Sequence, residues 1–129
     1  MSRGLGDVYK RQEETEQTYD TLDKQMEDPY SIYNFVKQTI LIRNAFPEIA
    51  RGTNTFEKDL SNDNVCIFTR EYNGEKAVLI FNPSKDEASV DVSSLGVNDA
   101  VAMLQTTKKA PSYKDGAAKL PAYSVLVLK

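Results

Sequence analysis

The sequence predicts a mainly β protein: an antiparallel β-sandwich, Greek-key-like in its turn spacing, preceded by one α-helix. Three observations lead to it. One stretch alone, Asp28 to Gly52 (DPYSIYNFVKQTILIRNAFPEIARG), carries a long helical pattern. From Gly52 onward apolar and polar residues alternate, which is the period of a strand. Turn-forming clusters then recur at short intervals, as they do in sandwiches and barrels.

The helix comes first. Asp28 is a fitting N-cap, and Pro29 suits a first turn, where a missing N–H costs nothing. Pro47 and Gly52 stop the pattern and release the chain. These signals predict a helix from Pro29 to Phe46. Its apolar residues Ile32, Phe35, Val36, Ile40, Leu41, Ile42 and Phe46 recur near the helical period but spread too widely for one narrow stripe. Such a helix needs cover on more than one side.

Thr53 to Leu60 reads as a first short strand, and Ser61 to Asn64 (SNDN) as the turn after it. Val65 to Tyr72 and Glu75 to Asn82 flank Asn73-Gly74, the dipeptide that best tolerates positive φ at both centres of a type I′ hairpin. In the first arm Val65, Ile67 and Thr69 share a face; in the second Ala77, Leu79 and Phe81 share one. Asn82 to Asp86 closes the arm as a loop, and Pro83 directly after Asn82 rules out N-glycosylation there. Ala88 to Val92 is a short strand with Val90 and Val92 inward, and Ser93 to Gly96 turns the chain. Val101 to Thr107 is a further strand. Lys108 to Leu120 reads as a loop marked by Pro111 and Asp115-Gly116, with room for a second short hairpin. Ala122 to Lys129 is the closing strand, with Tyr123, Val125 and Val127 on one face and Leu126 and Leu128 on the other. A strand apolar on both faces belongs in the middle of a sheet. Pro121 is tolerated at its start.

Ser31, Ile32, Tyr33, Phe35, Lys37, Ile40, Ile42, Arg43 and Pro47 stand in an order that resembles the last barrel helix of the α-amylase family of glycoside hydrolases, family 13. The following VCIFTREYNGEKAVLIFNPS and the closing LPAYSVLVL resemble the all-β C-terminal domain of the same enzymes. The resemblance covers Thr21 to Lys129. It implies a helix left from a truncated (β/α)8 barrel and divides the chain into a tail (1–12), a loop lead-in (13–28), a terminal barrel helix (29–51) and a C-terminal all-β domain (52–129).

The first residues read differently. SRGLGDVYKRQ resembles the in-frame translation of a transposase-type DNA sequencing adaptor, known from assembled metagenomic reads. The expectation is a disordered, non-native tail over 1–12 and a reading frame that starts inside a gene, so that a missing signal peptide says nothing about location. Glu13 to Glu27 is acid-rich with only Tyr19, Leu22 and Met26 as apolar anchors, which predicts a mobile or weakly ordered lead-in. It has no glycine for the sharp turn of a calcium loop.

With 129 residues, 40% hydrophobic and 27% charged, the chain has the composition of one ordinary domain plus extensions. At a net charge of −3, with Lys and Arg scattered among acids, it lacks the clustered basic face that a nucleic-acid partner requires. No apolar run reaches the roughly 18 residues of a membrane span. The single Cys66 has no internal disulfide partner, and its apolar strand context suits a small buried hydrophobe better than a nucleophile.

The absence of histidine excludes Ser-His-Asp and Cys-His catalysis and the usual zinc sites. Retaining glycoside hydrolysis needs two carboxyl groups flanking the scissile bond, and a barrel carries them at the C-terminal ends of its strands. The resemblance places the family's nucleophilic Asp, acid/base Glu and stabilising Asp on earlier barrel strands, outside the matched region. No catalytic, cofactor-binding or metal-binding residue is therefore assigned. Tyr72, Tyr113 and Tyr123 are candidates for stacking on sugar, Tyr113 foremost because it lies in a polar loop; packing or ordinary surface roles are the expectation for all three.

The resemblance implies a C-terminal fragment of an α-glucan-acting glycosidase whose β-domain supports and shields the barrel, itself without catalysis. Its partners would be the missing barrel and, through the parent, the α-glucan. The calcium of many relatives is held outside this region; the location is left open by the sequence, a secreted or cell-surface parent being the expectation. Without its barrel, the helix should leave Ile32, Phe35, Val36 and Ile40 as an open, associating apolar patch. The alternative is a free-standing β-sandwich module that binds a glycan or a protein, with the helix as its docking element.

Overall fold

The computed structural model describes residues 18–129, so the adaptor-like segment and the start of the acidic lead-in lie outside it. The lead-in is helical where it was expected to be mobile: α1 spans Leu22–Glu27. Its order comes from the next helix. The Asn34 amide donates to the carbonyls of Gln25 (3.0 Å), Met26 (3.2 Å) and Asp28 (2.7 Å), gathering the end of α1 and the turn that follows it.

The long helical pattern folds as two helices, α2 (Ile32–Ala45) and α3 (Pro47–Arg51). The N-cap of α2 is Ser31 rather than Asp28, and its hydroxyl accepts from the Asn34 N–H at 3.2 Å. Asp28 instead accepts from the Tyr30 N–H at 2.9 Å in a local turn that contains Pro29. Pro47, expected to end the helical stretch, starts the second helix, for which a missing N–H at the first position is harmless. Phe46, extended at φ −119°, is the corner between the two.

Eight strands among the described residues form the two antiparallel sheets of a sandwich. The larger sheet has the order β1-β2-β3-β8-β5, with β1 Thr53–Phe56, β2 Cys66–Tyr72, β3 Glu75–Asn82, β5 Ala100–Leu104 and β8 Ser124–Leu128. The smaller has the order β4-β7-β6, with β4 Ala88–Asp91, β6 Ser112–Lys114 and β7 Ala117–Leu120. Asn73 and Gly74 both take positive φ, 51° and 80°, between β2 and β3. Asp115 and Gly116 repeat that turn at 50° and 84°, so the second hairpin exists. Several strands are shorter than their patterns: β1 stops at Phe56, β4 at Asp91 and β5 at Leu104, and β8 runs only from Ser124 to Leu128.

Ile67, Val78, Ile80, Leu126 and Leu128 from the large sheet meet Ala118 and Leu120 from the small one, all fully buried. Val65, Val92 and Val97 close the rim of this core. The closing strand is central, as its two apolar faces predict, between β3 and β5. Tyr123 is not part of it: the residue sits at φ +53°, just before the strand, and is 53% exposed.

Candidate docking face

Every second residue of the large sheet points away from the sandwich core. Register puts Phe56 opposite Phe68, Phe68 opposite Leu79, Cys66 opposite Phe81, and Phe81 opposite Val125. Directly paired residues of antiparallel strands share a face, so these residues line the sheet's outer surface. Three phenyl rings run across it. The Phe56 and Phe68 centroids are 5.3 Å apart, tilted by 43°, and Phe68 meets Phe81 edge-on at 5.8 Å. Phe56, at the edge strand, remains 51% exposed.

The helices cover this surface in part. Two grooves remain on either side of Phe81. One, about 420 Å³, lies under the start of α2 and is lined by Tyr30, Ile32, Phe35, Leu104, Tyr123 and Val125. The other, about 300 Å³, lies beside α3 between Ile49, Asn54, Phe68, Arg70 and Leu79. Along an open flank of α2, starting from Ile32 at the rim of the first groove, Ile32, Val36 and Ile40 stand one above the next at four-residue spacing and are 56%, 51% and 53% exposed. Phe35, expected in the same patch, is half-buried against the sheet instead. Ile32, which belongs to both, joins the open stripe to the groove over the half-covered sheet.

Charge is concentrated where α3 meets the end of β8. Glu48 is 2% exposed, and its Oε1 lies 2.7 Å from the Lys129 ammonium. Burial pushes the Glu48 carboxyl up, but a hydrogen bond from the Lys129 ammonium, one from the backbone N–H of Glu48 itself and the Lys129 charge together outweigh burial and hold it below the usual carboxylate range. The same bond to Glu48 raises the Lys129 ammonium above the usual lysine range. Lys129 also lies 5.7 Å from the Phe46 ring centroid and 3.6 Å from exposed Glu75. From β2, Arg70 donates to the backbone carbonyls of Glu48 (3.3 Å), which also accepts the Gly52 N–H, and Ile49 (2.8 Å) at the end of the short helix. Nothing in the sequence pattern pointed to Glu48, Arg70 or Lys129, because their partners are distant in the chain.

The three candidate tyrosines are not brought together as a sugar platform. Tyr113, in β6, is half-buried against the core and donates its hydroxyl to the Val97 carbonyl at 2.9 Å, a packing role. Tyr72 ends β2 half-buried, and Tyr123 edges a groove that is almost wholly apolar. Sugar recognition needs polar groups around the ring, and that groove offers few. Cys66 is half-buried on the outer face rather than in the core. Among the described residues no group of three or more Asp, Glu or Cys is placed to hold a metal ion.

The family model for the maltogenic amylase C-terminal domain matches residues 59–127, from the turn after β1 almost to the end of β8. The chain belongs to this family. A search of curated protein sequences found no match. Among solved structures, Amy13B of Eubacterium rectale is 96% identical over 90% of this chain, with a TM-score of 0.86. Trehalulose synthase MutB of Pseudomonas mesoacidophila MX-45 is 22% identical over 83% of the chain, with a TM-score of 0.68, and shares its fold. The chain spans 23% of the Amy13B chain and 19% of the MutB chain. Family and fold together make this maltogenic-amylase-type domain, with its leading helices, a C-terminal part of an α-amylase-family glycoside hydrolase.

Proposed function

We propose that the chain is the supporting C-terminal domain of an enzyme acting on α-glucans, that it docks on the catalytic barrel through α2 and the outer face of the large sheet, and that it has no catalytic activity itself. The carrying observation is the open stripe of Ile32, Val36 and Ile40 on a chain spanning 23% of Amy13B. An apolar row of this kind, at helical spacing and left more than half exposed by its own sandwich, matches a surface that another domain covers. The carboxylates of glycoside hydrolysis would come from the barrel, and this domain would shield its apolar flank from water and hold its last helix in place.

The test mixes the chain with a separately produced polypeptide corresponding to the remaining length of Amy13B. The chain alone should release no reducing sugar from soluble starch. The mixture should elute as one complex and be more active and more heat-resistant than the barrel polypeptide alone. Hydrolysis by the chain alone, or failure of the two pieces to associate, would overturn the proposal.

A further inference from the structure

Across α2 and α3 a single residue is buried, and it is a carboxylate. None of the 14 residues of α2 is buried, and of the 5 in α3 only Glu48 is. Helices on a protein surface are ordinarily fixed by an apolar face. Here that contribution is thin, because Phe35, Ile42 and Ile49 are only half-buried. What reaches fully into the protein is the charge of Glu48, and its Oε1 lies 2.7 Å from the Lys129 ammonium.

The anchor beneath that ammonium is firm. Asn98 and Asp99 N–H groups donate to the Lys129 carbonyl at 2.8 and 3.0 Å, and the Lys129 N–H donates to the Asp99 carbonyl at 2.9 Å. Lys129 therefore approaches α3 from a pinned backbone at the end of the central strand. Arg70 approaches the same helix from β2 and holds its carbonyls. Two cations of one sheet grip one short helix, but only Lys129 faces a buried opposite charge. Loss of one partner from a buried ion pair leaves an uncompensated group and costs far more than the loss of an exposed pair.

We propose that Glu48 and Lys129 form a latch that holds the α2–α3 unit to the large sheet, so that removing its charge frees both helices together while the sandwich stays folded. The proposal does not depend on the docking role, since both partners lie in this chain. Its consequence is a sub-globally separable helical unit, for which the Arg70 hydrogen bonds and the half-buried apolar contacts do not suffice once the Glu48–Lys129 contact is lost.

Hydrogen–deuterium exchange on the full chain tests this, comparing the unaltered protein with Glu48→Gln, Lys129→Met and, as a control, Glu75→Gln. In Glu48→Gln, amides of residues 32–51 should exchange about tenfold faster or more, while those of β2, β3 and β8 keep their protection. Lys129→Met, which leaves a buried carboxylate without its counter-charge, should free the same segment further. Glu75→Gln should change nothing, because Glu75 is an exposed neighbour at 3.6 Å. Equal acceleration in helices and strands, no acceleration in either variant, or failure of Glu48→Gln to fold would each overturn the latch.

Discussion

Asn82, at the end of β3, reaches across the sandwich and donates its side-chain amide to the Leu120 carbonyl at the end of β7, 3.0 Å away. The same amide reaches the carbonyls of Asp86 (2.9 Å) and Pro121 (3.0 Å), and its oxygen accepts from the Ser84 N–H (3.1 Å) and hydroxyl (2.7 Å). One buried side chain thus ties the large sheet, the small sheet and the loop between β3 and β4 together. Replacing Asn82 with Ala would strand several buried backbone groups. The expected loss is about 2–4 kcal/mol, read as a lower urea midpoint with an unchanged slope.

Gly52 joins α3 to β1 in a space with no room for a side chain. A Cβ there would collide with the Glu48 carbonyl and lie 2.8 Å from the Glu71 carbonyl, both backbone atoms that cannot swing aside. Gly74, by contrast, has nothing within 4 Å of a Cβ and only its φ of +80° to resist substitution. Gly52→Ala should therefore cost more than Gly74→Ala, about 2–3 against about 1 kcal/mol, with thermal unfolding giving the order. The reverse order would show that the chain at Gly52 relaxes freely.

Ile32, Val36 and Ile40 make few contacts within this chain, so changing all three to Ser should barely alter stability. It should abolish concentration-dependent association in light scattering and lower the fluorescence of an apolar dye. In the mixing experiment with the barrel polypeptide, the same variant should bind more weakly. Unchanged dye binding would place the exposed apolar surface elsewhere, with Leu22, Met26, Leu41 and Phe56, each more than half exposed, the next candidates.

The Glu48–Lys129 pair sets limits in pH at both ends. A carboxyl held below its unfolded value contributes stability that is present above the unfolded pKa and is lost as pH falls through the folded one. An ammonium held above its unfolded value contributes stability that is present below the unfolded pKa and is lost as pH rises through the folded one. Urea midpoints measured against pH should thus fall below the ordinary carboxylate range and above the ordinary lysine range, and Glu48→Gln should flatten both limbs. Asp91, whose carboxyl the Ser93 hydroxyl and N–H hold down, adds to the acid limb alone. Asp91→Asn should accordingly leave the alkaline limb intact.

The sequence by itself determined what depends on neighbouring residues. The Asn73-Gly74 and Asp115-Gly116 turns follow from tolerance of positive φ at two adjacent positions. The alternation of the hairpin arms, the two-sided apolar closing strand and the family likeness from Thr21 onward are likewise patterns of composition along the chain. Tertiary structure decided what depends on residues far apart. Asn34 orders an acid-rich lead-in as a helix by gathering its end and the turn that follows it. Tyr113, in a loop polar by composition, becomes a packing residue because the Val97 carbonyl lies within reach of its hydroxyl. Phe35 turns to the sheet while Ile32, Val36 and Ile40 stay open, although all four read as equivalent apolar positions. Glu48 looks like an ordinary acid in a first helical turn until Lys129 arrives beside it. The physical reason is one of range: turn geometry and hydrophobic period are encoded within a few residues, whereas burial of a charge depends on what the fold brings to meet it.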